Sequence, residues 1–161
     1  MLFEPLRIKN ILFKNRIAVS PMCQYSSVDG FANDWHLVHI GSRAVGGAGL
    51  VMMEASAVTP EGRITPSDLG IYKDEHIPFL SRITAFVKEQ GSIPGIQLAH
   101  AGRKASHAVP WAGGQQLSIT NGGWQTLAPS AIPFNDGDRP PQALSMEQIK
   151  ALTGDFSAAA K

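Results

Sequence analysis

One segment restricts the fold more than any other. Residues 49–58, GLVMMEASAV, are a nearly unbroken apolar run bounded by glycine and by Thr59-Pro60. A strand with one face in water alternates polar and apolar residues. A strand without that alternation needs cover on both faces, which is the mark of a parallel sheet lying under helices.

The surroundings of that run repeat the same unit. RIAVSPM, ending near residue 22, reads as a short buried strand over 17–20. DGFAND follows as a turn, with Asn33 or Asp34 as helix cap. A helix is predicted over 34–45, with Leu37, Val38, Ile40, Ala44 and Val45 as its apolar positions and Gly46-Gly47 as its end. After the strand at 49–56, a helix over 74–90 carries Ile77, Leu80, Ile83 and Val87 at helical spacing and stops at Gly91. SIPGIQLAHAG supplies a third buried strand near 93–99. Residues 100–144 are rich in Gly, Pro and polar groups, too long for an ordinary connection and better read as a functional loop. Ser145 then opens a helix over 145–161, with Gln148 completing a capping box. Ahead of all this, residues 3–16 alternate around Lys9-Asn10 as a small β-hairpin does. Strand, helix, strand, helix, strand, helix is an α/β order with a parallel sheet.

Composition removes several classes of function. The chain has 161 residues, enough for one domain with a real core, and its hydrophobic and charged fractions of 43% and 17% are globular values. Fourteen basic and 13 acidic residues leave a net charge of +1, so nothing calls for nucleic acid or an anionic membrane as partner. One cysteine cannot staple a fold, which makes a reducing, cytoplasmic setting the expectation. No apolar run approaches the ~20 residues of a membrane span, and MLFEPLRIKN lacks the layout of a signal peptide.

In parallel sheets ligands gather at the C-terminal ends of the strands. Here those ends carry Ser20-Pro21-Met22-Cys23, then Glu54-Ala55-Ser56, then Gln97 to Lys104. Cys23 reads either as a reactive or cofactor-contacting thiol or as a small buried hydrophobe. Tyr25 is either a phenol that donates a proton or hydrogen bond to substrate, or an ordinary loop tyrosine. Gln97, polar inside an apolar strand, needs a partner: the edge of a heterocycle or neighbouring backbone. Arg103 and Lys104 suit an anion or simply water. Trp111 and Trp124 in the long loop are open to a ligand, an interface or plain burial. His36, His39, His100 and Glu54 match no zinc spacing, and no metal is expected. There is no GxSxG, no Walker loop and no dinucleotide fingerprint.

Taken in order, LFEPLRIKNILFKNRIAVSPMCQYSSVDG, GGAGLVMMEASAVTPEGRIT and GIQLAHAGRKAS closely resemble the old yellow enzyme family. The likeness is to the bacterial branch of NADPH dehydrogenases and xenobiotic reductases, and it covers essentially the whole chain. It implies a TIM (β/α)₈ barrel with FMN at its top and NADPH as reductant. It also implies reduction of the C=C bond of α,β-unsaturated carbonyl compounds and of some nitro compounds. Ser20, Pro21, Met22 and Cys23 match the segment along the flavin, Cys23 being the thiol near the reactive edge that tunes the ring's potential. Ala55 and Gln97 match further flavin contacts, and Tyr25 a tyrosine that reaches toward substrate, so Cys23 and Tyr25 are the implied catalytic pair. A full barrel needs ~250 residues. The resemblance therefore implies that 1–161 is the N-terminal part of a single FMN-binding domain, about three βα units behind an N-terminal hairpin. The family's substrate-gripping histidine pair, a flavin-contacting arginine and the phosphate site belong to later strands, and none of His36, His39, His76, His100 or His107 matches the pair. A homo-oligomer is expected at full length. The alternative expectation is a truncated, non-catalytic fragment that cannot hold FMN alone.

Overall fold

The computed structural model describes residues 1–161. Strands β1 (Leu6–Ile8) and β2 (Ile11–Phe13) form the antiparallel hairpin expected at the N-terminus, with Lys9 turned into the left-handed region at φ 50°. Next come β3 (Ala18–Val19), α1 (Asp34–Val45), β4 (Leu50–Ala57), α2 (Ile77–Glu89) and β5 (Ile93–Ala99). The three strands make one parallel sheet in the order β3-β4-β5, as the repeated strand–helix unit requires.

Each helix begins where its sequence signals it. Asn33 caps α1: its Oδ1 accepts from the Trp35 N–H at 3.0 Å, while the His36 ring reaches back to the Asn33 N–H. Ahead of α2, Asp74–His76 form a 3₁₀ turn, and the α-helix proper starts only beside Pro78, whose missing N–H suits a first turn. The helix predicted from residue 74 is thus split into two geometries.

Ile40 and Ala44 of α1 meet Leu80, Ile83 and Val87 of α2 over Val51 and Met53 of β4. Both helices therefore cover one face of the sheet. The other face carries Leu50, Met52, Ala55, Gly95 and Gln97 and is only partly covered. The hairpin sits at the N-terminal ends of the strands, where Leu6, Ile8 and Phe13 close on Ile17, Ala18 and Leu50. Gly49 permits that approach, because a Cβ there would lie 2.5 Å from the Asn15 carbonyl oxygen.

The stretch expected to be one long loop is more ordered than its composition suggests. Three short 3₁₀ turns lead to a parallel pair, β6 (Leu127–Ala128) with β7 (Gln142–Ala143), before α3 (Met146–Ala159). Two-residue strands have no periodicity to read, so the sequence could not announce them. Ser145 and Gln148 form the predicted capping box of α3. No residue of α3 is fully buried. No helix is long and apolar enough to cross a membrane.

Candidate active site

The three strand ends do share one rim. Ala55 and Gln97 are register partners across β4 and β5, so they lie side by side on the sheet face away from the helices. The Ala55 backbone lies close enough to the Cys23 thiol to pull its pKa down, which brings the segment after β3 beside the same residue. Cys23, beyond the end of β3, thus stands beside Ala55 of β4, whose register partner is Gln97 of β5. Gln97 is exposed, so the partner demanded of a buried amide is not needed within this chain. Ser20 and Met22 are exposed and Pro21 half-buried along the same lip.

The electrostatics narrow what Cys23 can do. Burial pushes its thiol up, and the carboxylates of Asp68 and Glu54 add to this, against smaller pulls from the Ala55 hydrogen bond and Lys104. A nucleophilic cysteine needs the opposite, an environment that favours thiolate. At neutral pH Cys23 is a neutral, polarizable thiol, suited to modulating a neighbour rather than attacking it. Tyr25 is also pushed up, first by burial and then by Cys23, Asp68 and Glu54, so its hydroxyl keeps its proton and remains a donor.

Tyr25 has φ 50°, a left-handed conformation that a bulky residue holds only when its surroundings over-determine it. They do. The Gln24 N–H donates to Glu54 Oε2 at 2.8 Å, and the Trp35 indole N–H donates to the Gln24 side chain at 3.2 Å. The Ser26 hydroxyl donates to the Gln24 carbonyl, and the Asn33 amide to the Ser26 carbonyl. The Tyr25 ring meets the edge of Trp111 with centroids 5.7 Å apart. Trp111 is 71% exposed and overhangs the rim from the long loop. Trp124 has a different part: its indole N–H donates to the Glu61 carbonyl at 2.9 Å, and Arg63 lies over its ring. It locks loops together and is not available to a ligand.

Two buried carboxylates support the rim, and the motif reading did not single them out for it. Asp68 accepts from the Ile64 N–H, the Thr65 N–H and the Thr65 hydroxyl. Burial raises it despite those three bonds. The loop it ties off bonds both neighbours: the Ser27 N–H donates to the Ser67 carbonyl and the His107 N–H to the Ile64 carbonyl. Glu54 is the second, 3% exposed, with Oε1 lacking any hydrogen-bond partner. Its signal was in the sequence as the one charge inside the apolar run; Thr65-x-x-Asp68 was the weaker signal for the other.

The histidines do not converge. His36 belongs to the α1 cap, His39 stacks on Trp35, and His100 Nδ1 accepts from the Gly102 N–H. No three His, Cys, Asp or Glu side chains gather into a metal-binding group. Arg103 and Lys104 are both exposed; Lys104 lies over the Phe134 ring.

The family model of the NADH:flavin oxidoreductases and NADH oxidases matches residues 1–161. The chain belongs to this flavin oxidoreductase family. It is 49% identical over 162 residues to an NADPH dehydrogenase of Bacillus cytotoxicus, covering 99% of this chain and 42% of the relative. Against an NADH:flavin oxidoreductase of Gibberella zeae it is 47% identical over 163 residues, 99% of this chain and 40% of that one. The chain therefore spans about two fifths of the length of the curated relatives it matches. Among solved structures, old yellow enzyme from a Pichia species superposes with a TM-score of 0.83 at 28% identity, covering 99% of this chain and 42% of that chain. Morphinone reductase superposes at 0.79 and 26% identity, covering 99% and 45%. The three βα units and the hairpin are thus the N-terminal portion of the flavin oxidoreductase TIM barrel, and the sheet face carrying Ala55 and Gln97 is the barrel's interior. FMN is the family's cofactor, with NADPH the reductant named for the Bacillus relative.

The residues on the rim fit the ring portion of that cofactor. The exposed Gln97 amide offers a donor and an acceptor to a heterocycle's edge. Ala55 leaves a low floor beside it, and the neutral Cys23 thiol stands at the same level.

Proposed function

We propose that residues 1–161 are the N-terminal part of a single FMN-binding domain in an NADPH-dependent oxidoreductase. Its reaction reduces the C=C bond of α,β-unsaturated carbonyl compounds, and of some nitro compounds. The approach of Cys23, past the end of β3, to the Ala55–Gln97 pair of β4 and β5, within a matching flavin oxidoreductase chain, carries this reading. Bound FMN would accept a hydride from NADPH and deliver one to substrate.

The chain's own groups then have separate tasks. Ser20, Pro21 and Met22 lie along the ring and keep water from one side of it. Gln97 orients it through its pyrimidine edge. Cys23 adjusts how readily it takes electrons. Tyr25 donates its hydroxyl hydrogen to the oxygen of the substrate, with Trp111 beside it as a wall. A reducing, cytoplasmic setting suits the lone unpaired cysteine, and a homo-oligomer is the proposed state at full length.

Two substitutions test the assignment in a closed barrel that contains residues 1–161. Cys23→Ser should leave FMN bound and move its midpoint potential by about 30 mV, the equivalent over two electrons of roughly one hydrogen bond. Spectroelectrochemical titration reads it; an unmoved potential returns Cys23 to a packing role. Tyr25→Phe should slow enone turnover by about a hundredfold, the scale of one lost proton or hydrogen-bond donor. Flavin reduction by NADPH should stay near wild type in rapid-mixing traces. Equal loss in both half-reactions would make Tyr25 structural.

A further inference from the structure

Glu54 is an expensive residue with no part in the chemistry just described. Its side chain is 3% exposed, inside a strand whose other outward residues, Val51 and Met53, join the apolar core. It sits at the register shift between Met53 and Ala55, an irregularity of the kind that re-aims a side chain beside an active site. A buried carboxylate is strongly disfavoured unless it is paired and hydrogen-bonded, and an apolar side chain would serve packing better.

Its two oxygens face two different elements. Oε2 accepts from the Gln24 N–H at 2.8 Å. Oε1 has no hydrogen bond and lies 3.8 Å from His36 Nε2. Nδ1 of that ring lies 3.1 Å from both the Asn33 N–H and the Asn33 Oδ1, and Nε2 lies 3.3 Å from the Ser27 hydroxyl. Glu54 is therefore clamped between the first turn of α1 and the backbone between Cys23 and Tyr25.

We propose that Glu54 is the positioning residue of the flavin site: through the Gln24 amide it holds the Cys23 thiol at the Ala55 level and keeps Tyr25 in its left-handed conformation. The inference rests on the flavin reading for its purpose but not for its geometry. Without Oε2 the Gln24 N–H loses its hydrogen-bond partner, and the strained Tyr25 backbone loses a restraint on the residue before it. His36 packs behind Glu54, 3.8 Å from Oε1, and fills the space into which the carboxylate would turn.

The test uses the closed, flavin-loaded barrel and its flavin-free form, with site-resolved iodoacetamide labelling of Cys23 by peptide mass spectrometry. Glu54→Leu keeps the volume and removes the acceptor. It should raise the Cys23 labelling rate by about tenfold, the loss of roughly one hydrogen bond's restraint, and shift the visible absorption band of bound FMN. Glu54→Gln retains an oxygen for the Gln24 N–H and should return labelling to within about threefold of wild type, the scatter expected of an altered but intact hydrogen bond. Glu54→Asp keeps the charge but withdraws it from Gln24; it reads the same effect, at an intermediate rate, should Glu54→Leu not fold. Wild-type labelling in Glu54→Asp or Glu54→Leu overturns the proposal. So does a Glu54→Gln protein that labels as fast as Glu54→Leu, since the acceptor would then be irrelevant. A wild-type barrel that never takes up FMN would refute the flavin reading while the labelling rates still decide the role of Glu54.

Discussion

The 161-residue chain produced by itself should stay colourless after incubation with FMN and gel filtration, and should not reduce an enone with NADPH. The physical reason is surface. A folded monomer of 17.2 kDa exposes about 7,800 Å² by the usual size scaling, whereas this chain exposes 9013 Å². β3 and β5 are both edges of the sheet, and the interior face with Leu50, Met52 and Gln97 is only partly covered. α3 offers Met146 and Ile149 to solvent. If half the excess is apolar, about 15 kcal/mol of burial is forgone at ~25 cal/mol per Å², as much as the whole net stability of a domain. A ring bound by Cys23, Ala55 and Gln97 would also be gripped from one side only. Joined to the remaining strands of a barrel, the same residues should give a yellow protein. Stoichiometric FMN retained by the 161 residues alone would refute this and would mean that the ring contacts suffice.

The second large effect is expected at Asp68. Asp68→Ala removes the acceptor for the Ile64 N–H, the Thr65 N–H and the Thr65 hydroxyl in one step. Thr65 is almost fully buried, so water cannot take over all three. At ~1–3 kcal/mol for each buried donor left unpaired, a destabilisation of about 3 kcal/mol or more follows. Urea unfolding of the closed barrel measures it, as a lower midpoint with an unchanged slope. Asp68→Asn, which keeps one acceptor, should lose roughly half as much. The loop released is the one that bonds Ser27 and His107, so weaker FMN binding should accompany the lost stability. A loss below about 1 kcal/mol, the range of an ordinary surface substitution, would show that solvent reaches these donors.

Much of the fold was legible because it is local. The apolar run at 49–58, the stripe Leu80-Ile83-Val87 and the Ser145–Gln148 box each stand within one element, and the structure places β4, α2 and α3 accordingly. What escaped was too short or too distant to leave a pattern. β6 and β7 are two residues each and pair across the long loop. The 3₁₀ turn ahead of α2 differs from the helix only in its hydrogen bonding.

The candidate site divides in the same way. Sequence alone determined which residues stand toward the strand ends, because a parallel strand's periodicity and its bounding turns fix where it stops; Cys23, Tyr25, Ala55 and Gln97 are assigned to that rim by sequence. Only the tertiary structure decided how they are held. The left-handed Tyr25, its contact with Trp111, the neutral state of Cys23 and the clamps at Glu54 and Asp68 all depend on groups tens of residues apart meeting in a buried space. Burial and hydrogen-bond satisfaction are properties of that shared space, so a charge such as Glu54 could be noticed in the sequence as anomalous. Its partners, the Gln24 amide and the His36 ring, became visible only when β4 was laid beside the segment it supports.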